Sequence, residues 1–168
     1  MTTERVDGLP AVVQEPRIPA EISELGTITD PDYADLFTIA AGGGWSAEQW
    51  ARAVFEDALE PRKGRLVWGG LLGLRLARGR SAESVAGWRI TGRGDGWLRM
   101  SADGRLISAQ LIVLADGERA SVATFIGYHN GLAAFGWPRL SGVHRGALPG
   151  LLRRAHAILS GRGDGAAG

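Results

Sequence analysis

A chain of 168 residues, 45% apolar and 22% charged, has the composition of one globular domain with a proper core. Its formal net charge of +1 leaves no electrostatic footprint of the size nucleic-acid binders show, and the absence of cysteine removes disulfides, thiolate metal sites and a cysteine nucleophile together. The longest apolar stretches are too short to cross a bilayer and Met1 to Asp7 lacks the apolar core of a signal peptide, so a soluble, cytoplasmic chain with no nucleic-acid partner is expected.

Residues 1–25 hold Pro10, Pro16 and Pro19 among scattered acids and read as an extended N-terminal arm that either lays an edge segment on the body or stays loose. Asp30-Pro31-Asp32 is turn chemistry. Tyr33 to Ala40 then alternates as a strand, with Tyr33, Asp35, Phe37 and Ile39 on one face and Ala34, Leu36, Thr38 and Ala40 on the other. Gly42-Gly43-Gly44 forms a joint before a helix marked by Ser46 and Gln49, a capping-box pair. Trp50, Ala51, Val54, Phe55, Ala58 and Leu59 give that helix an apolar stripe, which ends near Glu60-Pro61. A glycine run before a helix can cradle an anion, but with no Walker-type lysine or dinucleotide fingerprint beside it the plain linker is the better reading. The apolar residues from Leu66 to Leu76 predict a second helix despite Gly69, Gly70 and Gly73.

From Ser84 to His129 the pairs Asp95-Gly96, Asp103-Gly104 and Asp116-Gly117 punctuate alternating apolar runs, which predicts a four-stranded antiparallel meander. A two-residue Asp116-Gly117 loop places Leu111 opposite Val122, Ala109 opposite Thr124 and Ile107 opposite Ile126, with Met100 and Leu98 on the same apolar face. The reverse face carries Arg99, Ser101, Ser108, Gln110 and Ser121 among Trp97, Phe125 and Ile112, and is read as the solvent side. Leu140, Val143, His144, Ala147, Leu148, Leu151 and Leu152 recur at helical spacing, predicting a long amphipathic helix that starts near Pro138 and that Pro149 should kink or divide. Residues 26–160 therefore form one domain, and the glycine-rich residues 161–168 are expected to be a disordered tail.

The order of strand, two helices, meander and long helix is that of the helix-grip fold. This is an α+β class in which an antiparallel β-sheet wraps around a long C-terminal helix, with two short helices after the first strand. The Asp32-Tyr33-Ala34-Asp35 entry, the strand ending Tyr128-His129-Asn130, and Pro138 followed by His144 before Leu151-Leu152 resemble a little-characterised bacterial branch of the START-like superfamily, which includes the polyketide cyclase/dehydrase proteins. The resemblance implies a cavity between sheet and helix that accepts an apolar or aromatic, polyketide-like small molecule. About five strands can be read where that fold has six or seven; either the arm supplies another or the grip is less closed.

His144 shares the apolar stripe of the long helix, so its imidazole should face the sheet, where burial disfavours the charged form and prepares the ring for proton transfer. The plainer alternative is a buried histidine satisfied by one hydrogen bond. Tyr128 falls on the inner face, either donating to a ligand carbonyl or packing at the rim. Asp35 would form an acid/base pair with His144 if its face is the inner one, and is a solvated strand acid otherwise, the reading the sequence leans to. His129 alternates to the outer side. Arg89 enters the inner face if the Asp95-Gly96 loop has two residues. Leu98, Met100, Ile107, Thr124, Ile126 and Leu148 are the expected cavity lining, while Trp50 and Trp68 either overhang it or fill the core.

No metal or cofactor is implied by three histidines without ligand spacing. Three functions stay open: a cofactor-free cyclase, dehydratase or isomerase; a carrier or sensor with the same cavity; and a scaffold acting through an outer patch at Trp97 and Phe125. An enclosed space under ~300 Å³ would leave only the scaffold. A homodimer is compatible with all three.

Overall fold

The structure, a computed structural model, describes residues 5–6 and 9–165. Its main element is an open seven-stranded sheet built from β3 (Val12–Gln14), β4 (Tyr33–Ala40), β5 (Ser84–Val85), β6 (Trp88–Gly94), β7 (Trp97–Asp103), β8 (Ile107–Ala115) and β9 (Arg119–Tyr128), in the spatial order β3-β4-β9-β8-β7-β6-β5 with every pair antiparallel. A small separate ribbon pairs β1 (Arg5–Val6) with β2 (Leu9–Pro10). The arm thus supplies the edge strand β3 and a single helical turn, α1 (Ala20–Ser23). With β5 added at the other edge, the sheet reaches the strand number of a helix grip.

Two short helices follow β4. The first is α2 (Ala47–Arg52), capped as the sequence predicts by reciprocal Ser46 and Gln49 bonds and prolonged by a π-helical turn at Ala53–Ala58. The second, α3 (Pro61–Arg65), opens with proline at its first position and is prolonged by a π-helical turn at Leu66–Leu71. It therefore starts five residues before the predicted helix and ends five earlier, because Pro61 suits a first turn and Gly73 has positive φ. The long helix α4 (Gly131–Gly165) begins seven residues before Pro138, where the Asn130 side chain accepts the Ala133 N–H at 3.1 Å, and Pro149 does not divide it. It runs on to Gly165, so the tail expected to be disordered is helical as far as it is described, with Arg162 bonded to Asp57 at 3.0 Å; residues 166–168 lie outside the described residues.

The apolar face of the meander is the inner face, and Leu98, Met100, Ile107, Ala109, Leu111, Val122 and Ile126 are all buried against the helices. The pairing differs from the expected one by an even step: Leu111 lies opposite Thr124, Ala109 opposite Ile126 and Ile107 opposite Tyr128. The turn is centred on Gly117-Glu118 because Asp116 Oδ1 accepts the N–H groups of both Glu118 and Arg119, at 3.0 and 2.7 Å. An even step keeps each side chain on its face.

The reverse face is a correction. Leu36, Ile112, Ala123 and Phe125 form a second buried cluster there, covered by Ile18, Ile22, Leu25 and Ile28 of the arm and the segment after it. Gln110 is buried with them, taking the Thr27 N–H at 2.8 Å, and Arg99 donates to the Leu25 carbonyl at 2.6 Å. Phe125, expected in an outer docking patch, is therefore sealed in.

Candidate acid-base site beside an apolar cavity

Strand alternation places Tyr33 and Asp35 on the inner face of β4, where Asp35 pairs across the ladder with Thr124 of β9. The Asp35 side chain is 1% exposed. Burial on that scale requires partners, and two converge on Oδ2: the Tyr33 hydroxyl at 2.5 Å and His144 Nε2 at 3.1 Å. His144 Nε2 also lies 3.2 Å from Thr124 Oγ1. The helical stripe of α4 carries the imidazole to this point, and the indole of Trp137, two turns earlier on the same face, packs 6.1 Å from it and 5.2 Å from the Tyr33 ring.

A carboxylate only accepts hydrogen bonds, so an ionised Asp35 fixes the proton of a neutral His144 on Nε2 and leaves Nδ1 as the basic nitrogen. The Tyr33 phenol is held protonated: burial pushes its pKa well above the ordinary tyrosine range, and the adjoining Asp35 carboxylate pushes in the same direction. Asp35 Oδ1 is buried without a hydrogen-bond partner among the described residues. The sequence leaned towards Asp35 as a solvated acid; the structure puts it inside, next to His144.

His144 and Thr124 help line a partly open apolar cavity of about 270 Å³ between the sheet, α3 and α4. Trp68, Trp88, Leu74, Ile126, Trp137 and Leu148 contribute to its walls, and Val67, Leu71 and Val143 line it while remaining exposed, which makes them its rim. Among the predicted lining residues, Trp68, Thr124, Ile126 and Leu148 reach the cavity. Leu98, Met100 and Ile107 are packed solid in the core beside it. Trp50 lies at the far end of α4, stacked on His156 and buried, because its turn of α2 meets the last turns of that helix.

Two further expectations are corrected. The Asp95-Gly96 loop does have two residues, but a bulge between Ile90 and Gly92 reverses the alternation, so Arg89 pairs with Ser101 on the outer side and is exposed. Tyr128 keeps the expected inner face, opposite Ile107 and packed against the main core at the strand end, but it does not line the cavity; its N–H donates to Asp32 Oδ2 at 2.6 Å. The phenol that does reach the site is Tyr33. It could have been found from its position two residues before Asp35 on the same face. A helix beginning near Pro138 leaves Trp137 outside its apolar stripe; the observed start at Gly131 brings it onto the face of His144.

Among the described residues no three His, Asp or Glu side chains gather as a metal site, and no helix is long and apolar enough to cross a membrane. No protein-family model, no curated protein and no solved structure matches this chain.

Proposed function

We propose that the cavity binds a compact apolar or aromatic molecule and that His144, oriented by Asp35, moves a proton on it in a cofactor-free isomerisation, dehydration or cyclisation. The observation that carries this reading is the contact of Nε2 with a buried carboxylate by an imidazole that itself lines the cavity. An orienting acid behind a histidine fixes the tautomer and steadies the imidazolium that forms when the ring accepts a proton, while the apolar walls exclude water that would compete for it. Thr124 and the Tyr33 phenol complete the polar set. We further propose that the chain is a START-like, polyketide cyclase-type protein; the order of its elements is the support for this.

The volume bounds the ligand. At about 270 Å³ the pocket lies below the ~300 Å³ where ligand pockets usually begin, the bound under which an enclosed space leaves only the scaffold. A ligand is supported instead by the pocket's opening at Val67, Leu71 and Val143, past which a molecule can project, so that its buried part is a ring or a fused pair rather than a polycycle. The same number favours a second reading, a scaffold whose cavity is a packing gap.

A compact bicyclic probe separates them. 5-Nitrobenzisoxazole opens after abstraction of a single proton, and its nitroaromatic ring quenches tryptophan on binding, so binding and turnover are read independently. The proposal expects saturable quenching and turnover that His144→Ala lowers by about 10²-fold with binding kept, the usual scale for a general base. Asp35→Asn should lower turnover as well. Quenching without turnover points to a carrier, and neither signal points to the scaffold.

A further inference from the structure

The small net charge conceals a strong segregation. Residues 61–80 carry six basic residues and no acid, and residues 131–163 carry five arginines and no acid, whereas residues 1–60 carry twelve acids against three arginines. The fold turns this into two sides. The basic segments form α3, the loop after it and α4, which face each other across the cavity mouth, while Glu15, Glu21, Glu24 and Asp30 belong to the arm side behind the sheet; Glu56, Asp57 and Glu60 stay with the helices and pair with Arg80, Arg162 and Lys63. Among the described residues Arg62, Arg75, Arg78, Arg139 and Arg154 form no ion pair, so much of the positive charge is not neutralised internally.

The same side carries nearly all the large apolar side chains left in water. Leu66 (67%), Leu71 (57%), Leu132 (66%), Phe135 (63%) and Val143 (68%) are exposed. Leu132, Phe135, Arg139 and Val143 follow one helical stripe of α4, and the Arg139 guanidinium lies 3.8 Å over the Phe135 ring. Isolated exposed leucines need no explanation, but a cluster on two facing helices that also carry unpaired arginines does.

We propose that this rim docks on an anionic lipid bilayer, with the leucines, Phe135 and Val143 entering the headgroup boundary and the arginines meeting the lipid charges. A second copy presenting the same side would set like charge against like. Nucleic acid answers the arginines but offers nothing to the leucines exposed among them. A bilayer answers both, since apolar insertion and attraction to acidic headgroups add, and long basic side chains lay their stems along the apolar boundary. The surface is read from charge and exposure alone, so it stands whether or not His144 acts on what the cavity holds.

Vesicle co-sedimentation of the full chain tests it, with phosphatidylcholine vesicles against phosphatidylcholine containing roughly 30% phosphatidylglycerol. The expected result is binding to the anionic vesicles roughly tenfold or more above that to neutral ones, weakening as salt rises. Leu66→Ser/Leu71→Ser and, separately, Arg62→Gln/Arg139→Gln should each reduce it severalfold; all four residues are exposed, so the fold should survive. Absence of binding, equal binding to both vesicles, or tighter binding to duplex DNA that the leucine variant leaves unchanged would overturn the proposal.

Discussion

Tyr33 shows how far one hydroxyl can be tied to pH. Its phenol donates to Asp35, and burial together with that carboxylate raises its pKa, so the folded chain keeps the proton at a pH where the unfolded chain releases it. A raised folded-state pKa gives a contribution that is complete below the ordinary value of about 10 and is lost as pH rises beyond it. Tyr128 shifts in the same direction through burial and Asp32. Urea unfolding at pH 8 and pH 10.5 should therefore show a falling midpoint, and Tyr33→Phe should make the fall shallower while lowering stability at pH 8 by about 1.5 kcal/mol, the lower end for a hydrogen bond to a charged group. An unchanged alkaline slope in that variant would remove Tyr33 from the account. At this scale the sequence supplied the parity of Tyr33, Asp35 and Thr124 but not which side of β4 was inside. That depended on which element covers each face, and the acid in an otherwise apolar row argued for the wrong one.

Among the elements, the meander shows what local pattern settles and what it leaves to side-chain chemistry. Alternation assigned Leu98, Met100, Ala109, Leu111 and Ile126 to the inner face, and each is buried there. Turn placement was less legible. Of the three Asp-Gly pairs only Asp95-Gly96 is itself the two-residue loop; the others stand at the entry to turns centred on Arg105-Leu106 and Gly117-Glu118. Gly104 is used for close approach instead, since a Cβ there would stand 2.4 Å from the Gly73 carbonyl oxygen. Asp116 binds two backbone N–H groups, and these hold its carboxyl below the usual carboxylate range. A depressed pKa means that this stabilisation is present above the ordinary value near 3.8 and lost as pH falls through the folded value. Asp116→Ala should cost about 1 kcal/mol at neutral pH and nothing in strong acid, as judged from denaturation midpoints.

For the whole molecule, the least legible feature was the arm, because a proline-rich stretch without periodicity carries no sign of what it will cover. It completes the sheet at β3 and, together with Ile28 just after it, closes the second apolar cluster, with Ile18, Ile22 and Leu25 laid over Leu36, Ile112, Ala123 and Phe125. A sheet that must be apolar on both faces over part of its width needs two covers, and α4 with the short helices is only one. These four covering residues are partly exposed, so each stabilises by less than the ~1.5–3 kcal/mol of a fully buried aliphatic side chain, yet together they amount to a large share of a typical domain's stability. Ile22→Asp places an unpaired charge against Phe125 and Ile112, and should lower the urea midpoint by a few kcal/mol equivalent and raise binding of an apolar dye. The cavity lies on the opposite face of the sheet. Quenching by the nitroaromatic probe should therefore keep its affinity in the folded fraction, and a matching loss of probe binding in fully folded protein would mean that the two faces are coupled through β4 and β9.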